Sequence, residues 1–291
     1  MKKRTTILPL LLIVLCVAAL IGYQLLDRIR RDTKAPEITM DSQVLALSVA
    51  DPEAALLQGM TATDERDGNV TDSMVVERIT MLDSIGRASV SYAAFDAAGN
   101  VAKASREILY TDYQAPRFTL QAPLLYRYGT SFDILSTIGA TDALDGDIQH
   151  RIRATALDEN AITALGSHDV QFQVTNSMGD TVSLVIPVEV YDPQAYTASL
   201  TLNNYLVYLK TGDSFRPAEY LDTFTLMGEE TKLGGRLPAD YALATVGTVQ
   251  TDTPGTYPVE YRVTYTERNT NNPLTSRKYT GYSKLIVVVE G

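Results

Sequence analysis

Three short marks recur in this chain about 80 residues apart, and that interval commits it to folding as tandem modules. Asp-x-x-Ala-Pro stands at residues 32–36 and again at 112–116, with a reduced form at Asp192 and Ala195. Thr-Asp-Glu-Arg-Asp-Gly-Asn-Val at 63–70 returns as Thr-Asp-Ala-Leu-Asp-Gly-Asp-Ile at 141–148. Asp-Ala-Ala-Gly-Asn at 96–100 returns as Asn-Ser-Met-Gly-Asp at 176–180. Solenoid coils repeat every ~20–45 residues. A period of 80 therefore describes whole domains, each large enough to bury one modest core.

The residues between the marks read as β-strands. Val90, Tyr92 and Ala94 alternate with Ser89, Ser91 and Ala93, and Val170, Phe172 and Val174 alternate with Gln171, Gln173 and Thr175. Tyr257, Val259, Tyr261, Val263 and Tyr265 alternate with Pro258, Glu260, Arg262 and Thr264. Period two places the large apolar groups on one face of a half-buried strand. Gly86, Gly166 and Gly255 each stand four residues before the valine that opens this pattern, so one strand occurs three times. Asp-Gly, Gly-Asn and Pro-Gly pairs punctuate the strands as turns. Many short strands separated by such turns predict an all-β chain of tandem sandwiches, with helix only at the N-terminus and in brief turns near residues 52–57.

The expected division is a short tail and membrane helix at 1–31, then modules at 32–112, 113–192 and 193–291. The third is longer and lacks the Asp-Gly turn. The joints at 112–116 and 192–194 are short and carry proline, which fixes φ, so the expected arrangement is a stiff row with limited bending.

Residues 7–26, opening on Ile7 and closing on Leu26, hold no charge. As a helix they extend about 30 Å, the hydrocarbon thickness of a bilayer. This predicts an uncleaved single-pass anchor. A cleaved signal peptide is the rival reading, with Val17, Ala18 and Ala19 as the cleavage region. Three Lys and Arg precede the segment and four follow it closely, so loop charge does not decide orientation.

Seven Lys and Arg against two Asp fall in residues 1–34, so the rest is five charges more acidic than the net −10 of the whole chain. Such a body argues against nucleic acid as a partner, because phosphate binding needs clustered Lys and Arg. The single Cys16 lies in the apolar run, which excludes an intrachain disulfide framework. His150 and His168 are the only histidines, and neither has a nucleophile-and-base pattern beside it. No zinc spacing or phosphate-cradling glycine loop is present either. The expectation is a chain without catalysis and without a required cofactor.

The acidic turns are the sharpest candidates for binding. Asp64, Asp67, Asn69 and Asp72 in the first module, with Asp142, Asp145 and Asp147 in the second, offer oxygen ligands of the kind calcium takes. Their spacing lacks the bidentate Glu of a helix-flanked calcium loop. The competing reading is that each Asp accepts backbone amides and shapes a turn, with Gly68 and Gly146 supplying positive φ. Asp96, Asn100, Asn176 and Asp180 are read the same way. Ten tyrosines in the third module, and its polar loop at 267–273, are the other candidates. Tyr257, Tyr261 and Tyr265 are expected in the core.

The order of marks, Asp-x-x-Ala-Pro, then Ala-Thr-Asp-x-x-Asp-Gly-(Asn/Asp)-(Val/Ile), then Gly-x-x-x-Val-x-(Tyr/Phe), then Asp-x-x-Gly-Asn, resembles bacterial immunoglobulin-like repeats. The type is the one named after a pesticidal crystal protein, similar in style to hyalin repeats. Module one carries every mark, and module two carries all but the last. Module three keeps Thr253, Pro254, Gly255, Thr256 and Tyr257 with their strand. The resemblance implies immunoglobulin-like sandwiches on an exported or surface protein, with the body outside the cell. It also implies a structural, display or adhesive role toward an extracellular protein or a cell-wall polysaccharide.

Overall fold

The computed structural model describes residues 7–157, 162, 164–194, 196–268 and 275–291, and in the N-terminal helix the side chains of 11–24 only. That helix, α1, spans Ile7–Arg30. Among the described residues no helix is long and apolar enough to cross a membrane. Everything described after α1 is strand, turn or a single turn of 3₁₀-helix such as Glu53–Leu57, so the body is all-β.

Residues 1–113 and 114–291 form two compact units. The first holds module one. Its strands β1 (Glu37–Met40), β2 (Val44–Leu47), β3 (Met60–Asp64), β4 (Gly68–Asn69), β5 (Val75–Met81), β6 (Arg87–Phe95) and β7 (Val101–Tyr110) make two sheets, β1-β3-β4 and β2-β7-β6-β5. All pairs are antiparallel except β2 with β7. Ala88, Val90, Tyr92 and Ala94 of β6 are buried, as the alternation expects, and Ala93, expected on the opposite face, is buried as well.

Module two repeats this plan strand for strand. Its strands are β8 (Arg117–Leu120), β9 (Leu125–Arg127), β10 (Ile138–Asp142), β11 (Gly146–Asp147), β12 (Arg153–Ala156), β13 (Gly166–Thr175) and β14 (Thr181–Tyr191). They form the sheets β11-β10-β8 and β12-β13-β14-β9, with β9 parallel to β14. Phe118, Ile138, Val170, Phe172 and Ile186 fill the space between them. Equal sequence marks at equal offsets give equal topology, because the same turns and apolar positions are reproduced.

Module three departs from that plan. Its strands β15 (Ala198–Leu202), β16 (Leu206–Lys210), β17 (Leu221–Leu226), β18 (Glu229–Lys232), β19 (Tyr241–Val246), β20 (Gly255–Glu267) and β21 (Arg277–Glu290) join in one seven-stranded sheet. The physical cause is the length of β21. Its first half takes β15 in parallel at Gly281 and Tyr282, its second half takes β16 from Ile286 to Glu290, and β20 runs along its other edge. Two short strands that would otherwise belong to separate sheets are thereby stitched together.

β21 is also buried on both faces. Leu285, Val287 and Val289 enter the core of module three, with Tyr261, Phe224 and Leu221. Ile286 and Val288 face the other way and belong to the core of module two. A Leu-Ile-Val-Val-Val run, in place of alternation, is what a strand covered on both sides contains. Leu206 and Tyr208 of β16 pack on the same cluster. One strand, β21, therefore contributes to the cores of both modules two and three.

Candidate functional site

Asp64 is the last residue of β3, where the chain must turn within four residues to enter β4. Its Oδ1 accepts hydrogen bonds from the amides of Arg66 (2.8 Å) and Asp67 (3.0 Å), and Gly68 takes φ +73°. Those amides, Asp67 first, hold the Asp64 carboxyl below the usual carboxylate range. Asp67 Oδ2 accepts from the amide of Ala97 (2.8 Å), tying the turn to the β6–β7 hairpin. Asn69 Oδ1 accepts from the Thr71 amide at 2.9 Å.

Module two repeats these bonds. Asp142 Oδ1 accepts from Leu144 (2.9 Å) and Asp145 (3.0 Å), and Asp147 Oδ1 accepts from Gln149 (2.9 Å). Asp145 accepts from the amide and the hydroxyl of Ser177, each at 2.6 Å, and pairs with Arg151. Burial works against ionised Asp145, but the Ser177 donors and Arg151 outweigh it and hold its pKa low. Asp67, Asn69, Asp145 and Asp147 thus serve turn geometry, and Asp72 sits exposed in a single helical turn.

The structure gathers a different set. Carboxylate oxygens of Asp32, Asp64 and Asp96 lie within 4.8 Å of one another, with Asp64 and Asp96 buried. Each belongs to one of the three recurring marks, so the marks converge on a single point of module one. Asp32 was legible as a repeat mark and carried no signal of proximity. Among the described residues, Asp142, Asp145 and Asp147 enter no such acidic group. In module two Asn176 replaces the third carboxylate, and its Nδ2 donates to Asp142 Oδ2 at 3.2 Å. The all-oxygen donor set of module one suits a hard divalent cation, although three carboxylates supply only part of the six to eight oxygens calcium takes. Arg66 stands beside the cluster, with Nε 3.4 Å from Asp32, and already supplies positive charge.

A second feature lies where modules two and three meet. Lys284 of β21 is buried and pairs with Glu189 of β14 at 2.6 Å, and the Tyr282 hydroxyl donates to the same carboxylate oxygen at 3.0 Å. Burial, then the negative charge of Glu189, pushes the Tyr282 pKa strongly upward. Arg117 pairs with Glu290 and lies over the Tyr208 ring. The Tyr208 hydroxyl accepts from the Phe118 amide (2.9 Å) and donates to its carbonyl (3.3 Å), satisfying the free edge of β8.

Beside this joint runs a groove of about 560 Å³ between β9 and the β15 and β17–β18 walls. Tyr196 stacks on Tyr282 at 4.9 Å with 16° between planes, and Tyr191 tilts against Tyr196 at 5.4 Å. Met227 at the groove's lip is 85% exposed and has φ +51°. Of the tyrosines expected in the core, Tyr261 is fully buried, and Tyr257 and Tyr265 pack against the cluster from its margin. Residues 269–273 of the expected polar loop, and Ala195, lie outside the described residues.

No family model matches the chain. It is 37% identical over 83 residues to an uncharacterized 81.3 kDa protein of Acholeplasma phage L2, a match covering 28% of this chain and 10% of that protein. The chain thus spans about a tenth of that relative's length. A solved structure of CBM51-2 in complex with GlcNAc and INT domains from Clostridium perfringens ZmpB aligns over 53% of this chain and 26% of its own, at 17% identity and TM-score 0.22. The Protocadherin GammaB4 extracellular domain aligns over 89% of this chain and 50% of its own, at 11% identity and TM-score 0.20. At those scores neither likeness carries an argument.

Proposed function

We propose that the chain is a membrane-tethered surface protein of the bacterial immunoglobulin-like type, which displays its β-modules outside the cell and engages an extracellular partner without catalysing a reaction. The observation that carries this reading is how the acidic and basic groups are used. The conspicuous acids of the repeat marks accept turn amides or pair with Arg and Lys, and buried His168 directs Nε2 to the Ala164 carbonyl at 2.9 Å. Such commitments suit a scaffold. The tether in this reading rests on the sequence alone, residues 7–26 being free of charge and 20 residues long. Two measurements on producing cells test it. The chain should stay with membranes through an alkaline carbonate wash, and protease added to intact cells should clip its body. Release by the wash, or a body untouched while other surface proteins are cut, would sink the proposal.

A second reading has its own observation, the convergence of Asp32, Asp64 and Asp96. Here module one is a calcium-dependent adhesion element and module two, with Asn176, is not. A ligand held only by the folded state raises stability. Millimolar calcium should then raise the melting temperature of the 1–113 unit relative to chelator, and Asp96→Asn should abolish the rise. An unchanged melting temperature rejects the calcium reading.

A further inference from the structure

The groove between β9 and the β15–β17–β18 wall holds three features that bear on binding. The first is Met227. Leu226 pairs with Glu229, so Met227 and Gly228 form a two-residue hairpin loop, and both have positive φ. Such loops favour Asn, Asp or Gly at the first position, because a side chain there crowds the backbone. Among the described residues Met227 is the only non-glycine with positive φ, and it presents a long apolar side chain to solvent. A residue wrong for its turn and exposed at a groove's edge points to contact with something else. The second is the half-buried pair Tyr191 and Tyr196, with Tyr196 stacked on buried Tyr282 beneath it. The third is charge. Arg127 is the only formally charged residue among those lining the groove, on a strongly acidic body.

The lining also says what the groove does not fit. Sugars are gripped by planar side chains that hydrogen-bond adjacent hydroxyls, and the lining holds no Asp, Glu, Asn or Gln among the described residues. Its polar atoms are the hydroxyls of Ser, Thr and Tyr, the Arg127 guanidinium and backbone groups. Prolines at 123 and 193, the tyrosines and Met227 make the remainder apolar. One wall is β9, the outermost strand of its sheet, which suits a chain laid alongside.

We propose that this groove is a docking site for an extended segment of a protein partner, with an acidic side chain on Arg127 and an apolar one against Tyr191, Tyr196 and Met227. This rests on the interaction role proposed above and assigns it a place and a chemistry.

The test uses the purified full chain in detergent and a phage-displayed library of random peptides. Selected peptides should carry Asp or Glu next to an apolar or aromatic residue. Their affinity should fall at least tenfold with Arg127→Gln and with Tyr196→Ala, and severalfold with Met227→Asn. The last variant suits its turn better, so its melting temperature should hold or rise while binding is lost, which separates docking from folding. Chitin and cellulose oligosaccharides are run in parallel. No selected peptides, peptides that bind all three variants equally, or oligosaccharides bound in a Tyr196-dependent manner would each overturn the proposal. Because the selection is done on purified protein, its failure leaves the surface location untouched, and failure of cell shaving leaves the groove untouched.

Discussion

Tyr208 shows how a single side chain can join two modules. Its hydroxyl bonds both the amide and the carbonyl of Phe118, and burial pushes its pKa up to about 12. A tyrosine whose folded pKa is raised lends its full stability below pH ~10, the unfolded value, and loses it as pH climbs to the folded one. Between pH 10 and 12 the 114–291 unit should therefore lose up to about 3 kcal/mol through this residue alone. Tyr208→Phe should lower stability at pH 7, because the Phe118 amide loses its partner, and should flatten the alkaline decline. Melting temperature against pH for both proteins checks it, and parallel declines would count against the assignment. The acidic residues teach a related lesson. Their type and spacing were plain in the sequence, but the choice between turn-shaping and cation-binding depended on which donors reach each oxygen. For Asp145 the donors are Ser177 and Arg151, residues 32 and 6 positions away.

At the level of elements, β21 matters most. Its double role is not something period-two alternation can express. Alternating burial would have left Ile286 and Val288 half-exposed, whereas both lie in module two's core. Truncating a buried Ile to Ala costs about 2–5 kcal/mol through lost burial and the cavity left behind. Ile286→Ala should fall in that range and should also weaken hydrogen-exchange protection of β13, over 100 residues earlier in the chain. Loss of protection confined to β20 and β21 would show that the two cores are independent. β6 and β13 needed no such help, because a strand with one wet face declares itself by period two.

On the scale of the molecule, the repeat predicts three modules, the third longer and divergent, and the chain groups into two compact units. Strand β21, which lends residues to both cores, and the Glu189–Lys284–Tyr282 cluster bind modules two and three together. Breaking a buried ion pair leaves one charge without a partner, which is strongly destabilising. Calorimetry of the full chain should therefore resolve two unfolding transitions, with modules two and three melting as one. Lys284→Ala should lower the melting temperature of that joint transition and leave the other in place. Three resolved transitions in the unaltered chain would refute the coupling.

The amino-acid sequence alone determined the strands, the turns and the recurrence of a seven-stranded plan in modules one and two. Those depend on alternation, on glycine at positive φ and on Asp beside backbone amides, all interactions between near neighbours. Tertiary structure decided which carboxylates meet, that the third module closes into one sheet, and that a groove opens beside its joint with the second. Each of these brings together residues far apart along the chain, and no local pattern encodes a distance between them.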